Sequence, residues 1–321
     1  MNVINSDYMD IDLNENLINE IIIENPSDLS KIGENMETWF SINNKDYFFN
    51  YRSIPKLPSG LYSIVFTEAN GFGLSKMEYK SEDYFVLPSL PHEEIISDIK
   101  KFWDSKKNYE KYNLTTKRGI ILHGDPGGGK TSLIYLLIEE MKKYDGISIY
   151  FDSPKTWIEI AKLIRKIEPD RPILCIIEDI DGVIENNGEE IFLNFLDGLN
   201  SVSNIVYVAT TNNLREIPDR IKNRPSRFDK KYEVKKPTDE DRLIYFTRMV
   251  CEEDKDIYDL KKLAKDTKDL SMAHLKELFI SLYIFKNDYA KSLQDIKKGN
   301  IIEKSIGFGR NDDWNHLLIQ S

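Results

Sequence analysis

Four groups of residues have the types and spacing to act on a polyphosphate. The first is Gly124-Asp125-Pro126-Gly127-Gly128-Gly129-Lys130-Thr131, a G-x-x-x-x-G-K-T run between the apolar stretch Gly119 to Leu122 and the helical stretch Ser132 to Met141. A strand that ends in a glycine turn and opens into a helix aims successive backbone N–H groups, and the positive end of the helix dipole, at one point. Asp125, Pro126, Gly127, Gly128, Gly129, Lys130, Thr131 and Ser132 then form a phosphate cradle in which Lys130 reaches the β/γ-phosphates and the Thr131 hydroxyl ligates Mg²⁺. The bland alternative, a glycine-rich turn with a stray Lys-Thr, does not account for the flanking strand and helix.

The second group is Pro172 to Asp181, where an unbroken apolar run ends in Glu178-Asp179-Ile180-Asp181. Apolar residues without alternation mark a strand buried on both faces, and the acids fall where it emerges. One acid is expected to hold Mg²⁺ and its neighbour to orient the attacking water. On the residues alone either Glu178 or Asp179 can take either role, Mg²⁺ or water; Asp181 reads as structural. The third group, Thr210-Thr211-Asn212-Asn213, ends another apolar run and places Asn212 to hydrogen-bond a γ-phosphate or water; a plain Asn turn is the competing reading. The fourth is Arg224-Pro225-Ser226-Arg227-Phe228-Asp229, whose guanidinium groups suit the charge that develops on a transferred phosphoryl group.

The elements that must position these groups follow from pattern. A helix is expected from Asn14 to Ile23. Aromatic and branched runs at 38–42, 46–52, 61–67 and 72–79, separated by Asn-Asn, Pro-Ser-Gly and Asn-Gly turns, read as strands of a mostly-β N-terminal module over 1–88. A linker helix from His92 to Lys111 leads into alternating strands and helices that imply a parallel sheet covered by helices, an α/β nucleotide-binding domain over 89–236. Helices at 239–251, 257–265 and 272–285 form a lid over 237–298, and 299–321 reads as a tail or docking segment without periodicity.

Of the 321 residues 40% are hydrophobic and 31% charged, an ordinary balance for a globular chain, and the formal net charge of −10 argues against a surface built for nucleic acid or anionic lipid. The two cysteines, Cys175 and Cys251, and four scattered histidines show no metal-ligand spacing and suit a reducing cytoplasm. No apolar run approaches the ~18 residues of a membrane span.

With phosphate loop, carboxylate strand, T-T-N and R-P-S-R-F-D in that order, the chain from about His92 to Phe285 resembles the AAA+ ATPases. The resemblance implies ATP and Mg²⁺, a P-loop domain with a C-terminal helical lid, and a ring, usually a hexamer, whose active sites are completed by the neighbour. By match of motif, Lys130 and Thr131 look like the Walker A pair, Glu178 and Asp179 like the Walker B acids, Asn212 like the sensor-1 residue, and Arg224 and Arg227 like the trans fingers. Most members carry Asp then Glu in Walker B. The reversed order within E-D-I-D, with a segment at 152–157 too short for the usual pore loop, is similar to the mitochondrial ATPases that translocate the folded Rieske protein and to their soluble relatives. The family's sensor-2 arginine is missing from Leu270 to Leu275, leaving His274 in its region. The reading expected is a ring that remodels or moves a protein partner recruited through the N-terminal module. The alternatives are a nucleic-acid motor or loader, which the acidic balance disfavours, and a structural ATP-binding ring.

Overall fold

The apolar run before the acids becomes a strand with all five residues buried, Ile173–Ile177, at the centre of a nine-stranded sheet. The computed structural model describes residues 38–41, 45–50, 54, 56–67, 71–79, 86–197, 202–223 and 227–307. The helix expected at Asn14 to Ile23, Arg224, and residues 308–321 lie outside these. The strands are β1 (Thr38–Ser41), β2 (Asp46–Asn50), β3 (Gly60–Thr67), β4 (Gly71–Met77), β5 (Lys117–His123), β6 (Ile147–Tyr150), β7 (Ile173–Ile177), β8 (Ile205–Thr211) and β9 (Lys230–Glu233), in spatial order β1-β2-β4-β3-β6-β7-β8-β5-β9.

From β3 onward through β6, β7, β8, β5 and β9 every pairing is parallel. β8 inserts between β5 and β7, with Ala209 opposite both Ile121 and Ile177. Its C-terminal end therefore lies between the phosphate loop after β5 and the acids after β7, at the strand ends where open parallel sheets bind ligands.

β1 to β4 pair antiparallel with one another, and β3 continues the sheet by pairing in parallel with β6. The described strands of the mostly-β module expected over 1–88 thus share a sheet with the nucleotide-binding strands. A buried clasp secures the join: Leu57 N donates to Glu168 Oε1 at 3.0 Å, Arg171 Nη2 donates to Leu57 O at 2.7 Å, and Arg171 pairs with Glu168 at 2.5 Å.

Helices α1 (His92–Asp104) and α2 (Lys106–Lys111) precede β5, and α3 (Lys130–Lys143) follows it. α4 (Pro154–Ile167), α5 (Ile180–Asn187) and α6 (Glu189–Asp197) lie between β6 and β8, and the short α7 (Asp219–Lys222) precedes β9. Side chains alternate across β7: Ile173, Cys175 and Ile177 pack with Trp157, Ile160, Phe192 and Phe195 from α4 and α6, whereas Leu174 and Ile176 pack with Ile95, Ile99, Leu133 and Leu137 from α1 and α3. Burial of each such aliphatic side chain is worth about 1.5–3 kcal/mol, which fixes the register of the strand that carries the acids.

The lid comprises α8 (Asp239–Met249), α9 (Leu260–Asp266), α10 (Met272–Phe279) running into a π-turn at Ile280–Ile284, and α11 (Tyr289–Gly307). Its separate core includes Phe246, Leu263, Leu275, Leu278 and Leu282, with Tyr289, Leu293 and Ile296 of α11 packed against it. α11 crosses the boundary expected at 298, so the first part of the anticipated tail, through Gly307, is helical. Thr238 and Asp241 form a reciprocal capping box at the start of α8, and Asp241 Oδ1 also accepts from Ser89 N at 3.2 Å, tying the lid to the segment before α1.

Candidate functional site

The phosphate loop is shaped by its glycines. Gly129, at φ 105°, caps α3, a left-handed conformation that side chains rarely adopt. Gly127, at φ 67°, lies under the lid, where an added Cβ would stand 2.9 Å from both Ala273 Cβ and Ser271 Oγ. The Ala273 N–H reaches Gly127 O at 3.4 Å, so α10 rests directly on the loop.

Lys130, the first residue of α3, is buried at 8% exposure. Its ammonium donates to Gly124 O at 2.7 Å, Asp125 O at 3.1 Å and Asn212 Oδ1 at 2.8 Å. Burial holds the Lys130 pKa below its ordinary value, opposed by the negative charges of Asp179, Asp125 and Asp181. The Asp125 carboxylate itself pairs with Lys236 at 3.1 Å.

Across the cleft, Thr131 Oγ1 makes a long donor contact of 3.4 Å to Glu178 Oε1. Burial lifts the Glu178 carboxyl above its ordinary range; the Thr131 contact opposes the shift and Asp179 adds to it. Asp179 adopts a left-handed conformation, φ 47° and ψ 57°, at the N-cap of α5. Its backbone N–H donates to Thr210 Oγ1 at 3.0 Å, which couples the turn after β7 to the end of β8. Asp181 lies in the first turn of α5, and its Oδ1 is buried without a hydrogen-bond partner among the described residues.

These groups converge on one cleft of about 970 Å³. Pro126, Gly127, Gly129, Lys130, Thr131, Ser132, Glu178, Asp179 and Asn212, all singled out by sequence, line it. So do Tyr135 from α3 and, from the lid, Tyr245, Arg248, Met249, Met272, Ala273 and Lys276. Tyr135 stands four residues beyond Thr131 and was within reach of a helical-spacing argument. The lid residues gave no local signal, because their role depends on how α8 and α10 dock over the loop. His274 does not line the cleft; its Nδ1 lies 2.7 Å from Ser271 Oγ at the start of α10.

The arginine pair divides. Arg227 is 4% exposed; its Nε and Nη2 reach Asp197 Oδ2 at 2.8 and 2.5 Å, and Nη1 donates to the Arg220 carbonyl. In this arrangement all three guanidinium contacts lie within the chain. R-x-x-R spacing has no means of showing an acid thirty positions upstream.

A parallel sheet, a glycine turn opening into a helix that starts with Lys-Thr, and acids at the tip of a central strand place the chain in the P-loop class of nucleotide-binding folds. Residues 120–236 match the family model described as ATPase family associated with various cellular activities (AAA). It is 28% identical over 241 residues to the probable mitochondrial chaperone bcs1 of Schizosaccharomyces pombe, covering 71% of this chain and 53% of that protein. It is also 25% identical over 273 residues to ATP-dependent zinc metalloprotease FtsH 2 of a Thermoanaerobacter species, covering 71% of this chain and 51% of the relative. A Bifidobacterium adolescentis protein named AAA ATPase forming ring-shaped complexes is 24% identical over 206 residues, 52% of this chain and 40% of that one. The chain thus spans about half the length of the first two relatives and less of the third. No helix among the described residues is long and apolar enough to cross a membrane.

Proposed function

We propose that this chain is an ATP hydrolase that works as a homo-oligomeric ring, a hexamer by analogy with the family, and couples turnover to remodelling or moving a protein partner. The observation that carries the reading is the meeting of Lys130, Thr131, Glu178, Asp179 and Asn212 in one cleft roofed by the lid. A helix N-terminus with a buried ammonium suits the β/γ-phosphates of ATP. The Thr131 hydroxyl and Glu178 carboxylate, 3.4 Å apart, are hard oxygen donors of the kind Mg²⁺ takes, and they would hold it. Bound there, Mg²⁺ supplies charge neutralisation at the phosphates.

Lys130 exchanges its carbonyl and Asn212 acceptors for phosphate oxygens, which releases the Asn212 amide to orient the γ-phosphate or the attacking water. Asp179 accepts a hydrogen bond from that water and aims it in line. Arg224 of a neighbouring subunit supplies the positive charge that the transferred phosphoryl group needs. The lid residues Tyr245, Met249 and Met272 give the cleft an apolar side suited to a base, and Arg248 and Lys276 add cationic side chains.

The ring reading is supported by the printed name of the Bifidobacterium relative, and the protein-partner reading by that of the yeast chaperone. Because β3 is bonded to β6, a partner gripped by the N-terminal strands would feel movements of the nucleotide-binding sheet directly. The free thiols Cys175 and Cys251 suit a reducing compartment, the basis for placing the activity in the cytoplasm. The test is ATP turnover with Lys130→Ala as control, together with the mass of the complex with and without ATP. Turnover that persists in Lys130→Ala, or a monomer under all conditions, would overturn the reading. Stimulation by DNA at low salt, with none by protein, would favour a nucleic-acid motor instead.

A further inference from the structure

The lid carries a second concave feature, a groove of about 590 Å³ between α9 and the N-terminal half of α11. Tyr289 and Leu293 form its apolar floor, and Lys262, Lys297 and Lys298 line it with positive charge. The floor is held in place: Tyr289 donates its hydroxyl to Asp266 Oδ2 at 2.8 Å, and the Lys262 ammonium stands 5.9 Å from the centre of its ring. An apolar slot edged by lysines calls for a segment that carries carboxylates beside large apolar side chains.

The sequence that follows α11 has this composition. Residues 308–321 read Phe-Gly-Arg-Asn-Asp-Asp-Trp-Asn-His-Leu-Leu-Ile-Gln-Ser, in which the acidic pair Asp312-Asp313 is followed by Trp314 and by Leu317-Leu318-Ile319. We propose that residues 308–321 dock into this groove on their own chain, with Asp312 and Asp313 against Lys297 and Lys298 and the Trp314 to Ile319 stretch over Leu293 and Tyr289.

Reach and order both agree. From Gly307 back to Lys298 along α11 is about 14 Å at a helical rise of 1.5 Å per residue, and five extended residues from Gly307 to Asp312 span up to about 17 Å. Gly307 and Gly309 flank Phe308, and glycine accepts the left-handed conformation that ends a helix and reverses the chain. Running antiparallel to α11, the acids meet the lysines first. The apolar residues arrive next at Leu293 and Tyr289, in the order the groove presents them. The inference does not depend on the catalytic reading.

The test uses the full chain with Cys251→Ser, Gln294→Cys and Asn315→Cys, treated with a short bismaleimide. Equal amounts of isotopically heavy and light protein are mixed in urea and refolded together first, so that mass spectrometry separates links within a chain from links between chains. Expected is a predominantly intrachain 294–315 link. It should fall at least about tenfold when Lys297→Glu and Lys298→Glu are added, and return when Asp312→Lys and Asp313→Lys are added to those. Heavy–light links making up about half of the total, the share that a fully mixed population gives when every link joins two chains, would show that the groove receives the tail of a second copy and would overturn the proposal. An absent link, or one indifferent to the charge reversals, would overturn it equally. Circular dichroism of each variant verifies that the lid is folded.

Discussion

Arg227 and Asp197 form an ion pair in which the guanidinium is almost wholly enclosed: Arg227 Nη2 lies 2.5 Å from Asp197 Oδ2, and the Arg227 side chain is 3% exposed. The carbonyl of Arg220 takes a further donor, so three N–H groups are committed within the subunit. The two arginines of R-P-S-R should therefore fail differently. Arg227→Ala leaves Asp197 and the Arg220 carbonyl without this partner and is expected to cost about 3 kcal/mol, the low end for a broken buried pair because Asp197 is a third exposed. Thermal melting checks this. Arg224→Ala should lower ATP turnover by about 10³-fold. Mixing Arg224→Ala with Lys130→Ala subunits should then restore part of the activity, because hybrid interfaces pair an intact cleft with an intact arginine; no restoration would place the required arginine in cis.

The acids at the tip of β7 sit differently on the backbone. Glu178 contacts the Thr131 hydroxyl, whereas Asp179 caps α5 in a left-handed conformation that Asn also tolerates. Asp179→Asn should thus fold normally and bind ATP with little change, while turnover drops at least about a hundredfold, the range expected for loss of a positioned base. Fluorescent nucleotide titration and a phosphate-release assay separate the two effects. Unchanged turnover would reject the assignment of Asp179 to the attacking water.

Glu178 also gives a pH signature in the nucleotide-free protein. Its folded-state pKa is raised above the ordinary 4.5 by burial, so the folded chain binds the proton over a wider pH range than the unfolded chain. The stability from this group is fully present below pH 4.5 and is lost as pH rises through the folded-state value. Glu178→Gln is permanently neutral and should melt higher than the parent at pH 7, with the gap closing near pH 4. Melting curves across that window, without Mg²⁺ or nucleotide, read the difference directly; a gap that widened toward acid would reverse the sign of the burial effect.

Much of the catalytic half was legible because it rests on local rules. A buried parallel strand demands a run such as Ile173–Ile177, and a phosphate cradle demands glycines before Lys130. The obscure parts depend on partners distant in sequence. β9 reads Lys-Lys-Tyr-Glu, with no apolar run, and becomes a strand by pairing with the edge of β5. α5 begins at a left-handed aspartate and contains Gly182, both poor local signals for a helix. Near 298, the Lys-Lys-Gly-Asn sequence looks like a helix end, yet α11 continues through Gly299 to Gly307. Nothing in the aromatic strands before Pro88 announces that β3 will pair with β6.

That last join supplies a further prediction. Leu57 is held by both backbone groups, its N–H by Glu168 and its carbonyl by Arg171, and the two side chains are paired and nearly inaccessible at 6% and 3% exposure. Arg171 also lies 3.4 Å from Asp145, which in turn accepts from Ser59, so the clasp spans the approach to β3 and the turn before β6. Arg171→Met keeps most of the volume but strands the Leu57 carbonyl and the Glu168 carboxylate in a buried site, and is expected to cost about 3–5 kcal/mol. Adding Glu168→Leu removes the orphaned charge and should recover part of that loss. Recovery must remain incomplete, because the Leu57 carbonyl stays without Arg171 and the Leu57 N–H now loses Glu168 as well. Urea unfolding of the two single variants and the double variant, analysed as a cycle, measures the coupling. A double variant as stable as the parent would mean that Leu57 needs no partner and that β3 is held to β6 by its ladder bonds alone.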